Sequence, residues 1–133
     1  MGSANTFSEV AEGVRAAIAS YTQALDDGRT DDLVATFCPD GWCEMPVLGR
    51  HEGVDALRKA YSQLKPSRPQ RHLVLNTLIT DWDQREARAT SDVVFLLKGD
   101  TGWSVQLVGR YTDVLHSEGG TWRFHSRVAE FTS

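Results

Sequence analysis

The chain has 133 residues, enough for one domain with a sizeable core. Its formal charge of −4 at pH 7, with no basic run or stripe, argues against a nucleic-acid groove. Hydrophobic residues make up 41% and charged residues 24%, ordinary for a soluble globular protein, and no apolar run approaches the ~20 residues that span a bilayer.

The opening Met1-Gly2-Ser3-Ala4-Asn5 lacks the basic and apolar regions of a secretion signal and reads as a disordered tail. Thr6-Phe7-Ser8-Glu9 has the form of a capping box, a hydroxyl cap with Glu three residues on. Behind it Val10, Val14, Ile18, Tyr21 and Leu25 form one stripe of an amphipathic helix. Gly28 is its natural stop. Thr30 restarts a short helix with Asp31 and Asp32 at the positive end of its dipole, and Pro39-Asp40-Gly41 closes it with a turn. Trp42 to Val47 reads as a strand with Cys43, Met45 and Val47 on one face, and Val54 to Leu64 as a third helix behind Gly53. Cys38 and Cys43 are the only cysteines. Two thiols in a chain without a signal read as reduced, and the protein as cytoplasmic.

After Pro66 and Pro69 the apolar period becomes two. Strands are expected over Arg71–Asp81, Glu86–Lys98, Trp103–Leu115 and Thr121–Phe131, joined by short turn-rich links into an antiparallel meander. Strands this long imply a strongly curved sheet. Helices first and a meander after make an α+β layout, a single domain over residues 1–133. The three helices can pack into the concave face of the sheet. A cone built that way has an open end, the natural place for a ligand pocket.

Within the first long strand, His72, Val74 and Asn76 share a face. A His and an Asn around one apolar residue are either polar residues satisfied near the surface or the lining of a cavity. On the next strand Ala87, Ala89, Ser91, Val93, Phe95 and Leu97 share a face; on the third, Gly109, Tyr111, Asp113 and Leu115 do. On the last, Arg123, His125, Arg127 and Ala129 alternate with Phe124, Ser126 and Val128. One slipped residue inverts any of these assignments.

Several motifs together resemble the nuclear transport factor 2-like superfamily, and within it the SnoaL-like group that includes scytalone dehydratase and bile-acid 7α-dehydratase. They are Tyr21-x-x-x-x-Asp26, Phe37-x-Pro39-Asp40, Gly53 at the third helix, Arg71-His72-x-x-x-Asn76, Gly109-x-Tyr111-x-Asp113 and Trp122-x-Phe124-x-x-Arg127. The resemblance implies a cone-shaped α+β barrel with helices packed in the concave face of a curved antiparallel sheet, often dimeric through the outer sheet face. It implies an acid/base pair of Asp26 and His72, a pocket role for Tyr21, and a last-strand arginine at Arg127. Two features depart from the dehydratases. Their second histidine is matched by the Phe95 to Leu97 region, and a tyrosine on their short strand falls near Met45.

A His titrates near neutrality, and a carboxylate beside it fixes its tautomer. Such a pair can remove a proton next to a carbonyl and help a hydroxyl leave, without a cofactor. Tyr21 or Arg127 could then steady the oxyanion. Tyr21, Met45, Tyr61, Asn76, Ser91, Tyr111 and Arg127 complete the expected substrate-binding set. A bland reading stands beside each: Asp26 as a helix terminator, Tyr21 as core, and Arg127 as a structural partner of Asp113. His51, His116 and His125 read as solvated. There is no His-Glu-x-x-His, paired-Cys or His-x-His motif for a metal, no Gly-rich phosphate cradle and no nucleophile elbow. The expectation is a cofactor-free lyase or isomerase, of dehydratase or double-bond isomerase type, forming a homodimer. Its ligand would be a small hydrophobic cyclic molecule such as a steroid, terpenoid or polyketide, with no membrane or nucleic-acid partner. The alternative is a binding or assembly module that uses the same pocket without turnover.

Overall fold

The computed structural model describes residues 4–132. Helix α1 spans Phe7–Asp27 and starts at the capping box: the Thr6 hydroxyl accepts the Glu9 N–H at 3.2 Å, and Glu9 Oε1 accepts the Thr6 N–H at 3.2 Å. It stops at Gly28, whose φ of 72° a side chain would disfavour. Of the tail expected over residues 1–5, the first three lie outside the described residues. Asn5 exchanges two hydrogen bonds with Gln84, at 2.6 and 2.9 Å. No described helix is long and apolar enough to cross a membrane.

The remaining elements are α2 (Thr30–Val34), β1 (Phe37–Met45), β2 (Gly49–Glu52), α3 (Val54–Ser62), β3 (Gln70–Trp82), β4 (Glu86–Gly99), β5 (Gly102–Glu118) and β6 (Thr121–Phe131). They form one six-stranded sheet in the order β2-β1-β6-β5-β4-β3. The last four strands are the expected antiparallel meander, and β1 joins it parallel to β6. The sheet curves without closing, so β2 and β3 remain its edges. Two boundaries differ from the sequence reading by three residues or more. β1 begins at Phe37, because Phe37 already pairs with Phe124 before an irregularity at Pro39-Asp40-Gly41. β5 runs on to Glu118, because Gly119 and Gly120, with φ of 59° and 86°, make the whole turn.

The stripe of α1 is buried against the sheet together with Leu33, Phe37, Leu57, Tyr61, Leu115, Trp122 and Phe124. Val47, expected to share the inner face of its strand, instead sits at the β1–β2 hairpin tip, fully exposed with φ 70°.

Two of the sheet's bulges decide which of the expected site residues face inward. In β3 the pairing runs Leu75↔Asp92 and then Leu78↔Thr90, one residue extra on β3. Asn76 takes the left-handed conformation there, φ 57°. In β6 the pairing runs Val114↔Ser126 and then Leu115↔Phe124, so His125 is the extra residue. Trp122 and Phe124 on one side of it and Arg127 and Ala129 on the other are therefore all buried. On the convex face Leu73, Leu75, Trp103, Val105 and Val108 are exposed, next to an Asp92–Arg110 ion pair at 2.8 Å.

Candidate active site

Asp26 lies in the last turn of α1, where Gly28 ends the helix and leaves the carboxylate opposite the start of β3. An anion there gains nothing from the helix dipole, so its donors come from elsewhere. β3 is an edge strand, with β4 its only neighbour among the described residues. The His72 backbone N–H donates to Asp26 Oδ2 at 2.7 Å. Gln70 Nε2 donates to Asp26 Oδ1 at 3.1 Å, and His72 Nδ1 lies 2.6 Å from the same oxygen. An ionised carboxylate only accepts, so the proton sits on Nδ1 and Nε2 is left as the basic nitrogen. The His72 ring stacks on Phe95, centroids 4.5 Å apart, which fixes its plane. Its side chain is 16% exposed, against 4% for Asp26.

His72 separates two cavities. On one side is an open groove of about 860 Å³ between α1 and β3, lined by Arg15, Gln23, Asp26, Asp27, Arg71 and Asn76 among others. On the other is a hollow of about 260 Å³ inside the concave face. Its walls are Leu25, Met45, Pro46, Leu48, Leu64, Val93, Phe95, Leu107, Ala129 and Phe131, and its polar groups are Tyr21, Tyr61, Gln70, His72 and Tyr111. Few polar groups converging in apolar walls are what a small-molecule site needs, and the hollow rather than the groove has them.

Tyr21 and Tyr61 share a hydrogen bond of 2.6 Å between their hydroxyls and meet edge to face. Burial raises the phenols of Tyr21, Tyr61 and Tyr111, so all three stay protonated donors. Arg127 lies beneath them. Its Cζ is 3.6 Å from the centroid of Tyr111, 4.4 Å from Tyr21 and 4.6 Å from Phe124. Asp113 takes Arg127 Nε at 2.8 Å and Nη2 at 3.2 Å. Burial raises the Asp113 carboxyl and the Arg127 charge opposes that rise. Burial likewise works against the charge on Arg127, but Asp113 more than offsets it and the guanidinium stays cationic.

The structure thus gathers Asp26 and His72 into one pair, and places Tyr21, Met45, Tyr61 and Tyr111 around the hollow with His72. Three expected residues fall elsewhere. Asn76 is turned out by its bulge and donates to Asp92 at 2.7 Å. Thr77 takes the inward place and meets the Ser91 hydroxyl at 2.9 Å, so Ser91 is engaged within the sheet rather than lining the hollow. Arg127 is walled off by aromatic rings. Gln70 was missed; its signal was that it precedes His72 by two and so shares its face. His116 and His125, read as solvated, stack on each other at 4.5 Å and are only partly exposed. Among the described residues no group of three or more His, Cys, Asp or Glu is placed to hold a metal ion.

A family model described as a SnoaL-like domain matches residues 8–128. No curated protein matches the chain. Among solved structures, the chain resembles Rv3472, a function unknown protein from Mycobacterium tuberculosis solved as a D26N variant. The TM-score is 0.88 at 23% identity, over 98% of this chain and 78% of that one. It resembles a proposed scytalone dehydratase from Novosphingobium aromaticivorans at TM-score 0.80 and 22% identity, over 92% and 83%. It also resembles the beta subunit of a proposed aromatic-ring-hydroxylating dioxygenase from the same organism, at TM-score 0.82 and 20% identity, over 96% and 93%. At these identities the likeness is one of fold, the nuclear transport factor 2-like α+β architecture.

Proposed function

The chain belongs to the SnoaL-like domain family, and on that footing we propose that it is a cofactor-independent acid/base lyase or isomerase acting on a small apolar cyclic molecule of steroid, terpenoid or polyketide type. The observation that carries this reading is the 2.6 Å contact of His72 Nδ1 with Asp26 beside an apolar hollow of about 260 Å³. That volume lies just below the usual range of ligand pockets, about 300–1,000 Å³, and favours compact ring systems.

His72 Nε2 takes a proton from the carbon next to a substrate carbonyl, and the C–H electron pair moves into an enolate. The imidazolium so formed is stabilised by Asp26, which also holds the ring in place. His72 then returns the proton. Given to a leaving hydroxyl, it releases water and leaves a new double bond; given to another carbon, it moves the double bond. The hydroxyls of the hollow steady the enolate oxygen. The test is turnover of cyclic hydroxy-ketones, read by mass spectrometry as loss of one water, and of cyclic β,γ-unsaturated ketones, read by absorbance as a shifted double bond. His72→Ala and Asp26→Asn should each abolish it. Full turnover in both variants would sink the reading.

The dioxygenase-subunit likeness favours a second reading, a module that assembles without turnover. We further propose a homodimer joined through the convex face. Its exposed Leu73, Trp103, Val105 and Val108 make an apolar patch, and the neighbouring Asp92 and Arg110 offer both signs of charge to a second copy. Val105→Glu should convert a dimer into a 14.8 kDa monomer by light scattering; an unchanged dimer rejects that interface. The two free, buried thiols, Cys38 and Cys43, suit a reducing cytoplasm.

A further inference from the structure

Five polar side chains line the hollow, and four are already engaged. Tyr21 and Tyr61 bond each other, and Gln70 and His72 meet Asp26. Tyr111 differs. It is only 7% exposed, yet its hydroxyl has no hydrogen-bond partner among the described residues. Nor is it sealed away: the enclosed side-chain atoms without a partner are His125 Nδ1 and Arg127 Nη1. Tyr111 lines the hollow. Its ring lies on the Arg127 guanidinium at 3.6 Å.

We infer that Tyr111 is the donor that receives a neutral ligand's oxygen in the hollow, with Arg127 as the positioning residue behind its ring. This rests on the reading of the hollow as the ligand site, and not on turnover. A buried hydroxyl without a partner is costly, and an acceptor arriving on a ligand removes that cost. The guanidinium draws on the electron density of the ring face and makes the hydroxyl a stronger donor. Asp113 meanwhile holds the guanidinium by two contacts, so Arg127 does not swing into the hollow to pair with a ligand itself. The charge of Asp26 is met by three donors. No unmatched charge therefore opens into the hollow, and a carboxylate ligand would lose its water for no ionic partner. The ligand class is a neutral ring compound bearing a carbonyl or similar acceptor. A carbonyl held at Tyr111 would share the hollow with His72, which is what proton removal beside it requires.

The experiment compares 1-indanone, indane and indane-1-carboxylate on the full chain, by calorimetry and by the infrared carbonyl stretch of bound 1-indanone. The ketone should bind about tenfold more tightly than the hydrocarbon, the carboxylate more weakly than the ketone, and the bound carbonyl stretch should fall below its value in an apolar solvent. Tyr111→Phe should remove both the tenfold preference and the lowered stretch, with indane binding unchanged. Equal binding of ketone and indane, or a preference that survives Tyr111→Phe, overturns the inference. Binding of neither molecule overturns it together with the hollow as a ligand site. Donor effects intact without turnover of any substrate would remove the catalytic reading alone. For Arg127, the double variant R127M/D113L exchanges the buried pair for apolar groups and avoids stranding one charge. It should bind indane as before and show a smaller carbonyl shift; an undiminished shift removes Arg127 from the inference.

Discussion

Two carboxylate–base pairs stand on the concave side of this sheet, and they are built in opposite ways. Asp113 and Arg127 join two adjacent strands, β5 and β6, in the middle of the sheet, with side chains 0% and 2% exposed. Asp26 and His72 join a helix end to an edge strand, and the imidazole keeps 16% of its surface open. The central pair is closed by Tyr21, Tyr111 and Phe124, so its charges meet each other and the ring faces and never a ligand directly. The peripheral pair has one nitrogen fixed and one free. On the proposed reading, chemistry falls to the incomplete pair and architecture to the complete one.

The comparison predicts that damage at the two sites falls on different measurements. Asp26→Asn or His72→Ala should lower turnover on the order of 10²–10⁴-fold. The same Asp26→Asn should cost about 1–3 kcal/mol of stability by urea denaturation, because the new amide NH2 meets a donor and one hydrogen bond is lost. Arg127→Ala should do the reverse and destabilise the fold by about 3–5 kcal/mol, since it strands the Asp113 charge in the core. If both substitutions acted chiefly on stability, the distinction between the pairs would collapse.

A smaller effect tests how far burial alone governs the sealed half of the molecule. Burial, helped by Glu118, pushes the Cys38 thiol from 9.0 up to about 12. The folded state therefore keeps a proton that the unfolded chain gives up. Stability from this group is complete below pH 9.0 and lost as the pH rises toward 12. Cys38→Ala should flatten the alkaline limb of a stability curve by at most about 1.4 kcal/mol per pH unit. An identical slope in both proteins would show that Cys38 does not govern it.

Much of this arrangement was legible in the sequence. The capping box, the stripe of α1 and Gly28 carry their own signals, because capping and helical period are local. The inward face of His72 followed from alternation, and its pairing with Asp26 from family resemblance. What alternation could not supply were the bulges. Nothing around Leu75-Asn76-Thr77 announces an extra residue except that asparagine tolerates a positive φ. The extra residue at His125 carries no comparable signal at all. Each bulge reverses the parity of everything beyond it. Thr77 therefore displaced Asn76, and Trp122, Phe124, Arg127 and Ala129 all came to lie on the core side. Gln70 lies one residue before the expected Arg71–Asp81 strand, although pairing already starts there: the Pro69 carbonyl accepts the Lys98 N–H at 3.0 Å.

The bond from the His72 backbone to Asp26 has a consequence for the protein's life in a crowded solution. An outermost strand with idle amides is a template onto which a stranger's strand can zip, and here a carboxylate occupies one of those amides. Asp26→Ala would uncap the ribbon as well as release the imidazole. Loss of catalysis and a tendency to self-associate would then arrive together, from one missing side chain.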